Sequence, residues 1–282
     1  MTMIRTQLHQ QLKDLSKADI HMHSNFSDGA ASVEEILHYV QKETNLDVIA
    51  ITDHDTIEGA LYAKELMKKH KYRFELIVGE EVSSIEGHIL GLFLTKKIEP
   101  NLPAHEVLKE IHAQGGIAIA AHPFYETRMN SGKVTWAHGV GATTLIKEKT
   151  HFHAIETVNA TPVFEEENLR AKYINRLLLM RAETGSSDAH ILQAIGKGYT
   201  LFEGKTAHAL REAILDHQTQ AMNDKWDLLG VVRYAYFFLP LGLRTAFNTL
   251  IHGRREKIPN IVKFPSKRKL RKEIEAEVEL AE

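Results

Sequence analysis

The stretch Ala18-Asp19-Ile20-His21-Met22-His23-Ser24-Asn25-Phe26-Ser27-Asp28-Gly29 decides how the rest of the chain is read. His21 and His23 stand two residues apart, and in an extended strand that spacing sends both imidazoles to one face. The polar turn ending in Asp28-Gly29 returns a carboxylate toward the end of the same strand. Imidazole and carboxylate together are ligands for divalent metals. A solvated histidine pair beside a turn fits the same residues, so the motif takes its weight from what recurs downstream.

The recurrence follows apolar runs. Leu46-Asp47-Val48-Ile49-Ala50-Ile51-Thr52 is short and continuous, as strands buried on both faces of a parallel sheet are, and it leads into Asp53-His54-Asp55. A strand over 74–78 is followed by Gly79-Glu80-Glu81-Val82-Ser83. A strand over 88–94 begins with His88, one over 117–121 ends in His122-Pro123-Phe124, and another covers 154–159. Asp188 and His190 repeat the spacing of His21 and His23.

Helices are predicted between these strands. Ser32 with Glu35 three residues on is a capping box that opens one. Others are expected over 57–71, 104–114 (stopped by Gly115-Gly116), 165–183 and 205–216. The first strand is expected at 19–23, a leading helix at 5–16, and a loop with some helix over the site at 125–149. The alternation, sustained from residue 18 to about 216, predicts an α/β domain with a mainly parallel sheet or barrel. Polar residues then gather at carboxyl ends of strands, where such folds place their chemistry.

The 282 residues suffice for one large domain with an appendage. The charged fraction of 26% and the net charge of -2 give no electrostatic case for nucleic acid from the whole chain. The absence of cysteine excludes disulfides, thiolate metal sites and a cysteine nucleophile, and suits a cytoplasmic setting. Residues 1–17 lack the apolar core of a signal peptide. The segment 230–251 is apolar but carries Arg233, Arg244 and Asn248, a poor composition for a membrane span. From about residue 221 the chain turns apolar and aromatic, then basic, then acidic. A helical appendage over 221–282 is expected, separate from a domain over 1–220. Its candidate roles are packing, peripheral membrane contact through 227–272, or nucleic-acid contact by the basic run.

The strand-end clusters supply His21, His23, Asp28, His54, Glu81, His88, His122, Asp188 and His190. Each alone has an ordinary explanation: a cap, a turn or a surface residue. In a closed barrel the first and last strands are neighbours, and the two paired motifs would face each other. One ion takes about four ligands when tetrahedral and six when octahedral, so this set suggests more than one ion.

His-Met-His-Ser with Ser-Asp-Gly, then Ile-Thr-Asp-His-Asp, Gly-Glu-Glu-Val-Ser, His-Ile-Leu-Gly-Leu, Ala-His-Pro-Phe and Gly-Ser-Ser-Asp-Ala-His resemble, in order, the motifs of the polymerase and histidinol phosphatase (PHP) family. They span residues 19–190. The resemblance implies a distorted (β/α)7 barrel with a trinuclear metal centre, here followed by a C-terminal helical appendage. By motif, His21, His23, Glu81 and Asp188 would hold one ion; Glu81 would bridge to a second with His88 and His122; Asp28, His54 and His190 would hold a third. Many family phosphatases carry an arginine just after Ala-His-Pro. Here the residues are Phe124-Tyr125-Glu126, and Arg128 is the substitute candidate for the substrate phosphate.

The expected activity is metal-dependent hydrolysis of a phosphate ester, a small phosphomonoester or nucleotide. Ions bridged by Glu81 would lower the pKa of a water from about 15.7 toward about 7. His54 and His190 are candidates to protonate the leaving group, and Asp53 is expected to orient a ligand histidine. Nitrogen and oxygen ligands without thiolate suit Mn, Fe or Zn. The alternatives are a nuclease that trims oligonucleotides, held by the basic run 263–272, and a non-catalytic metal-bound regulatory domain at a membrane surface.

Overall fold

The structure is a computed structural model, and it describes residues 15–125, 138–239 and 265–281. The helix expected over 5–16 and Arg128 lie outside the described residues. Nine strands form one sheet: β1 (Ser16–Asp19), β2 (Val48–Ile51), β3 (Glu75–Ser83), β4 (His88–Leu92), β5 (Ile117–Ala120), β6 (Ala154–Asn159), β7 (Ala182–Ser186), β8 (Gly198–Phe202) and β9 (Gln220–Asn223). Their spatial order is β7-β6-β5-β4-β3-β2-β1-β8-β9.

The helices are α1 (Val33–Glu43), α2 (Glu58–Lys69), α3 (Ala104–Ala113), α4 (Gly141–Lys147), α5 (Glu165–Ile174) and α6 (Ala207–Leu215). A π turn, Asn175–Leu179, extends α5. Two helices follow the barrel, α7 over 228–239 and α8 (Lys267–Ala281). The capping box read from Ser32 and Glu35 is present at the start of α1, with both hydrogen bonds made.

The apolar runs behave as buried strands because both faces are covered. Val48 and Ala50 belong to one core cluster, with Ile77, Leu90, Leu92, Ile117 and Ile119. Ile49 and Ile51 face the other way, into the cluster that holds Ile36, Leu37 and Val40 of α1. This is the period-two alternation of a strand with two buried faces. Burying each of these side chains contributes about 1.5–3 kcal/mol.

The sheet nearly closes on itself. Beyond β1 the chain stays extended, and Met22 bridges in parallel to Ala189, just past β7. The His23 N–H donates to the Ala189 carbonyl at 2.9 Å. Gly185 of β7 exchanges hydrogen bonds with the Thr200 hydroxyl of β8 at 3.0 and 2.8 Å. Asp19 fastens the same seam from β1, accepting the N–H groups of Ser187 at 3.0 Å and Gly196 at 2.8 Å.

The α/β barrel expected from the sequence is therefore present, with several corrections. The sheet is not mainly parallel: β1-β2, β2-β3, β5-β6 and β6-β7 are parallel, whereas β3-β4, β4-β5, β1-β8 and β8-β9 are antiparallel. The reversal at β3-β4 follows from Ser84-Ile85-Glu86-Gly87, a connection too short for a crossover helix. β3 runs on through Ser83, past the end expected at residue 78, so Glu81 lies within a strand. β8 and β9 were not expected at all. The ordered strand β1 ends at Asp19, and His21 and His23 follow it. The helix read over 165–183 gives way to the π turn and β7. Helix α4 falls in the expected covering segment, of which 126–137 lies outside the described residues.

Among the described residues no helix is long and apolar enough to cross a membrane.

Candidate metal centre

The candidates come from six separate stretches of chain, after β1, after β2, in β3, at the start of β4, after β5 and after β7, and the barrel turns them to one place. Glu81 is the centre. In β3 adjacent side chains point to opposite faces. Glu80 accordingly accepts the Ile98 N–H at 2.9 Å on the far side, while the Glu81 carboxylate meets imidazoles on both of its oxygens. Oε1 lies 2.8 Å from His88 Nδ1 and 3.0 Å from His122 Nε2. Oε2 lies 3.0 Å from His21 Nε2, 3.2 Å from His23 Nε2 and 3.3 Å from His54 Nδ1.

Asp188 Oδ1 joins the second group, 3.4 Å from His21 Nε2 and 3.2 Å from His23 Nε2. Asp28 reaches His190 Nε2 at 3.2 Å and His54 Nε2 at 3.7 Å. Three sets of donor atoms are each close enough to hold one ion: His21, His23, Glu81 and Asp188; His23, Asp28, His54 and His190; and His54, Glu81 and His88. His122 adjoins the last through the oxygen it shares with His88. All nine residues singled out in the sequence converge here.

The donor chemistry fits divalent cations. Among the described residues the three sets offer imidazole nitrogens and carboxylate oxygens, a mixture that suits Mn, Fe or Zn. His54 Nδ1 and His88 Nδ1 face Glu81 oxygens without hydrogen-bond geometry, and His23 Nδ1, His122 Nδ1 and Asp28 Oδ1 are buried with no hydrogen-bond partner. Buried polar atoms are ordinarily paired, and a cluster of orphaned imidazole nitrogens around carboxylates is what metal ligands look like.

The electrostatics agree. Burial would push the Glu81 carboxyl up, but His21, His54 and His88, with the His122 hydrogen bond, hold it well below the usual carboxylate range. Asp188 is likewise held low, against burial, by His21, His23 and His190. Burial would push His23 down, yet Asp188, Glu81 and Asp28 draw it up to about 10. His54 is pushed down to about 3 by burial, with His23 and His88 adding to the effect. The two carboxylates are thus held ionised among the imidazoles.

The backbone is bent to serve the site. His122 and Asp188 adopt positive φ, 25° and 51°, a conformation costing a non-glycine residue of the order of 1–3 kcal/mol and concentrated at functional sites. The turn that carries Asp28 folds tightly over His23: a Cβ on Gly29 would lie 2.3 Å from the His23 carbonyl oxygen. Asp53 braces this turn, accepting the Ser24 N–H and hydroxyl, both at 2.7 Å, and the Ser27 hydroxyl at 2.6 Å. Asp53 therefore orients the loop that bears Asp28, not a ligand histidine as its sequence position suggested.

Glu156 is the residue the sequence reading passed over. It sits in β6, buried, and Oε1 accepts His21 Nδ1–H at 3.0 Å and the Ser186 hydroxyl. Oε2 accepts the His122 N–H at 2.7 Å and Asn159 Nδ2–H at 3.1 Å. With the proton fixed on Nδ1, His21 presents the Nε2 lone pair to the centre. Asn159 also donates to Asp188 Oδ2 at 3.0 Å, so one strand end positions three of the nine residues.

Among the described residues the site is covered from behind and open at one side. On the His122 side Tyr125 and Phe164 pack with ring centroids 4.1 Å apart, the Phe164 ring 6.1 Å from His122. On the other side α7 lays Phe238 5.3 Å from His190. Trp226 and Tyr234 anchor that segment, donating to the Ala160 carbonyl at 2.7 Å and to the Thr161 hydroxyl at 3.3 Å. The opening is at Asp28 and His54, whose side chains are 30% and 22% exposed.

Comparison with known proteins bears on this arrangement. The family model described as PHP domain matches residues 19–238, more than half of the chain and through most of α7. An uncharacterized protein of Methanocaldococcus jannaschii is 38% identical over 119 residues, covering 38% of this chain and 68% of its own length. The 5'-3' exoribonuclease Rnm of Escherichia coli is 36% identical over 78 residues, 26% of either chain.

Two solved structures share the fold. One is a two-domain protein from Bacteroides vulgatus containing a predicted PHP-like metal-dependent phosphoesterase; its TM-score is 0.58 at 21% identity, over 74% of this chain and 65% of that one. The other is PsfC from Pseudomonas syringae, with a TM-score of 0.57 at 18% identity over 81% and 99%. On the strength of the matched span and the barrel that carries it, this chain belongs to the PHP family of metal-dependent phosphoesterases.

Proposed function

We propose that the chain hydrolyses a phosphomonoester, small or nucleotide, at a centre of three divalent cations. The observation that carries this is Glu81, whose two carboxylate oxygens face five imidazoles within 3.3 Å. His21, His23, Asp188 and one oxygen of Glu81 would hold the first ion. His88, His122 and the other oxygen would hold the second, and Asp28, His54 and His190 the third. When bound, the cations supply an acidified water as nucleophile and positive charge for the phosphate oxygens.

The chain's own residues do the rest. Glu81 would serve two sites, with one oxygen toward His88 and His122 and the other toward His21, His23 and His54. Glu156 and Asn159 hold His21, His122 and Asp188 in their ligating orientations. His54, held neutral, serves as a nitrogen donor rather than as the acid for the leaving group. Asp28, His54 and His190 line the open side, where a phosphate enters. No side-chain nucleophile is required, consistent with the absence of cysteine.

A second reading is oligonucleotide trimming, favoured by the relatives named 5'-3' exoribonuclease in Haemophilus influenzae and Escherichia coli, which this chain matches at 38% and 36% identity over parts of their length. In the described part of the basic run, Lys267 and Arg271 both pair with Glu165 on the surface. That leaves less free charge for a strand than the sequence suggested.

The test is turnover of p-nitrophenyl phosphate, a panel of phosphorylated metabolites and a short oligonucleotide by protein loaded with Mn, Fe or Zn. Asp188→Ala should abolish turnover while the circular dichroism spectrum is kept. Full turnover in that folded variant would refute the assignment. Steep salt dependence confined to the oligonucleotide would favour the second reading.

A further inference from the structure

We propose that the outward face of α7 docks the protein on an anionic lipid membrane, with the basic residues that follow it meeting the lipid headgroups. This does not rest on the activity assigned above.

α7 is apolar all round. Across 228–239 Arg233 is its single charged residue. At about 100° per residue the helix presents two faces. One carries Tyr234, Phe237 and Phe238, which pack on the core and against His190. The other carries Leu228, Leu229, Val232, Ala235, Tyr236 and Leu239, all exposed. Leu228 is 81% exposed and Tyr236 78%. Leu228, Val232, Tyr236 and Leu239 recur at the spacing of one helical stripe, on the side where a surface helix ordinarily shows polar residues. Single exposed apolar residues need no explanation, but a contiguous stripe marks an interaction site.

Charge says what covers it. Residues 225–272 hold twelve Lys and Arg against two Asp and Glu, a net of +10; the whole chain stands at -2, so the remainder carries -12. An anionic surface therefore attracts this end of the chain and repels the rest. The described basic residues lie near the stripe. Trp226 and Tyr234 tie α7 to Ala160 and Thr161, and Lys267 and Arg271 tie α8 to Glu165, so both helices are held by the stretch 160–165. Between those ties Val163 is 72% exposed. Leu270 buries α8 against the protein, and Arg268 and Lys272 are exposed on it. A nucleic acid would engage the basic residues and leave the apolar stripe in water. An anionic membrane engages both, the stripe at the acyl boundary and the Lys and Arg side chains at the headgroups. Among the described residues no helix can cross a membrane, so α7 lies in the plane of the interface. With Phe238 of its inner face against His190, docking brings the candidate centre to within about one helix diameter, roughly 10 Å, of the lipid.

The test is co-sedimentation of the full-length, metal-loaded protein with vesicles of phosphatidylcholine alone and of phosphatidylcholine mixed with phosphatidylglycerol. The proposal predicts binding to the mixed vesicles about 10-fold tighter or more, a factor that two or three basic residues at the surface supply, and its loss in roughly 0.5 M salt. Leu228→Glu with Tyr236→Glu changes two exposed side chains; it should weaken vesicle binding about 10-fold or more and leave p-nitrophenyl phosphate turnover and the unfolding midpoint as they were. Arg268→Glu with Lys272→Glu should reduce the preference for the anionic vesicles. Absence of binding to the mixed vesicles, equal binding to both kinds, or full binding by the folded Leu228→Glu, Tyr236→Glu variant overturns the proposal. Sedimentation equilibrium and titration with a short oligonucleotide are run alongside. Self-association that the same variant abolishes, or oligonucleotide binding, in a protein that ignores vesicles identifies a different occupant and overturns it as well.

Discussion

Glu156→Gln tests the part of the site that the sequence did not announce. Glutamine has the shape of glutamate, so the substitution leaves packing in place and changes only charge and hydrogen-bonding sense. All of the groups around this carboxylate donate to it: His21 Nδ1–H, the Ser186 hydroxyl, the His122 N–H and Asn159 Nδ2–H. An amide offers one accepting oxygen and one NH2, and the NH2 has to face one side. If it faces His21, Nδ1 must accept, the ring proton moves to Nε2, and the nitrogen directed at Glu81 is no longer a ligand. If it faces His122 and Asn159, a buried backbone N–H loses its acceptor, at about 1–3 kcal/mol.

Either way the cost falls on the metal site. Residues that support metal ligands in this manner are worth 10- to 100-fold in affinity, or about 1.4–2.7 kcal/mol. The assay is chelator competition for bound metal, read by elemental analysis, with phosphoesterase turnover measured at saturating metal. We predict metal affinity lower by 10- to 100-fold, with a loss of fold stability of at most about 1–3 kcal/mol, reached if the amide NH2 takes the His122 side. Unchanged affinity and turnover in the folded variant would refute the claim that Glu156 sets the His21 tautomer.

Three further outcomes are expected. Gly59→Ala would place a Cβ 2.2 Å from Asp53 Oδ2 and 2.8 Å from Ser24 Oγ; it should destabilise the protein by about 1–3 kcal/mol in urea titration and weaken metal retention through the Asp28 turn. Asp53→Ala removes the acceptor of three hydrogen bonds and should lower metal stoichiometry more than thermal stability. His153 is pushed down to about 4 by burial, with His112 adding to the effect, and accepts the Ala118 N–H at 2.9 Å. Its folded pKa is below the unfolded value of about 6.5, so the unfolded chain binds the extra proton first and stability declines as pH falls from 6.5 to 4. His153→Gln should flatten that part of the stability curve, and an unchanged acid limb would contradict the reasoning.

Why some of this could be read from the sequence and some could not has physical causes. The nine candidate ligands were legible because ligands must be polar and strand ends in α/β folds are where the backbone opens. His21 and His23, like Asp188 and His190, share a two-residue spacing that sends both side chains to one side of an extended chain, and its recurrence at strand ends is what gave the pairs weight. Glu81 was separable from Glu80 by the family's motif, and the period-two alternation of β3 supplies the geometric reason. Glu156 was hidden inside Ala154-Ile155-Glu156-Thr157-Val158-Asn159, read only as a strand. Its signal was a lone carboxylate in an apolar run, which a wholly buried strand does not tolerate without partners.

Asp53 was misassigned because residues next to a ligand in sequence need not touch it in space. β8 and β9 escaped because Gly198-Tyr199-Thr200-Leu201-Phe202 and Gln220-Ala221-Met222-Asn223 carry too few apolar residues in period to stand out, and the long-range pairing of β8 with β1, and of β9 with β8, makes them strands. The segment 226–239 read as part of an appendage because its aromatic residues show no destination in the sequence. In the fold Trp226, Tyr234 and Phe238 pack back over the strand ends.

Anomalous diffraction from crystals of the manganese-loaded protein would test the central claim most directly. The account predicts three peaks grouped around the Glu81 carboxylate: one beside His21, His23 and Asp188, one beside His88 and His122, and one beside Asp28, His54 and His190. A map with no peak there, or with its peaks elsewhere on the chain, would contradict it.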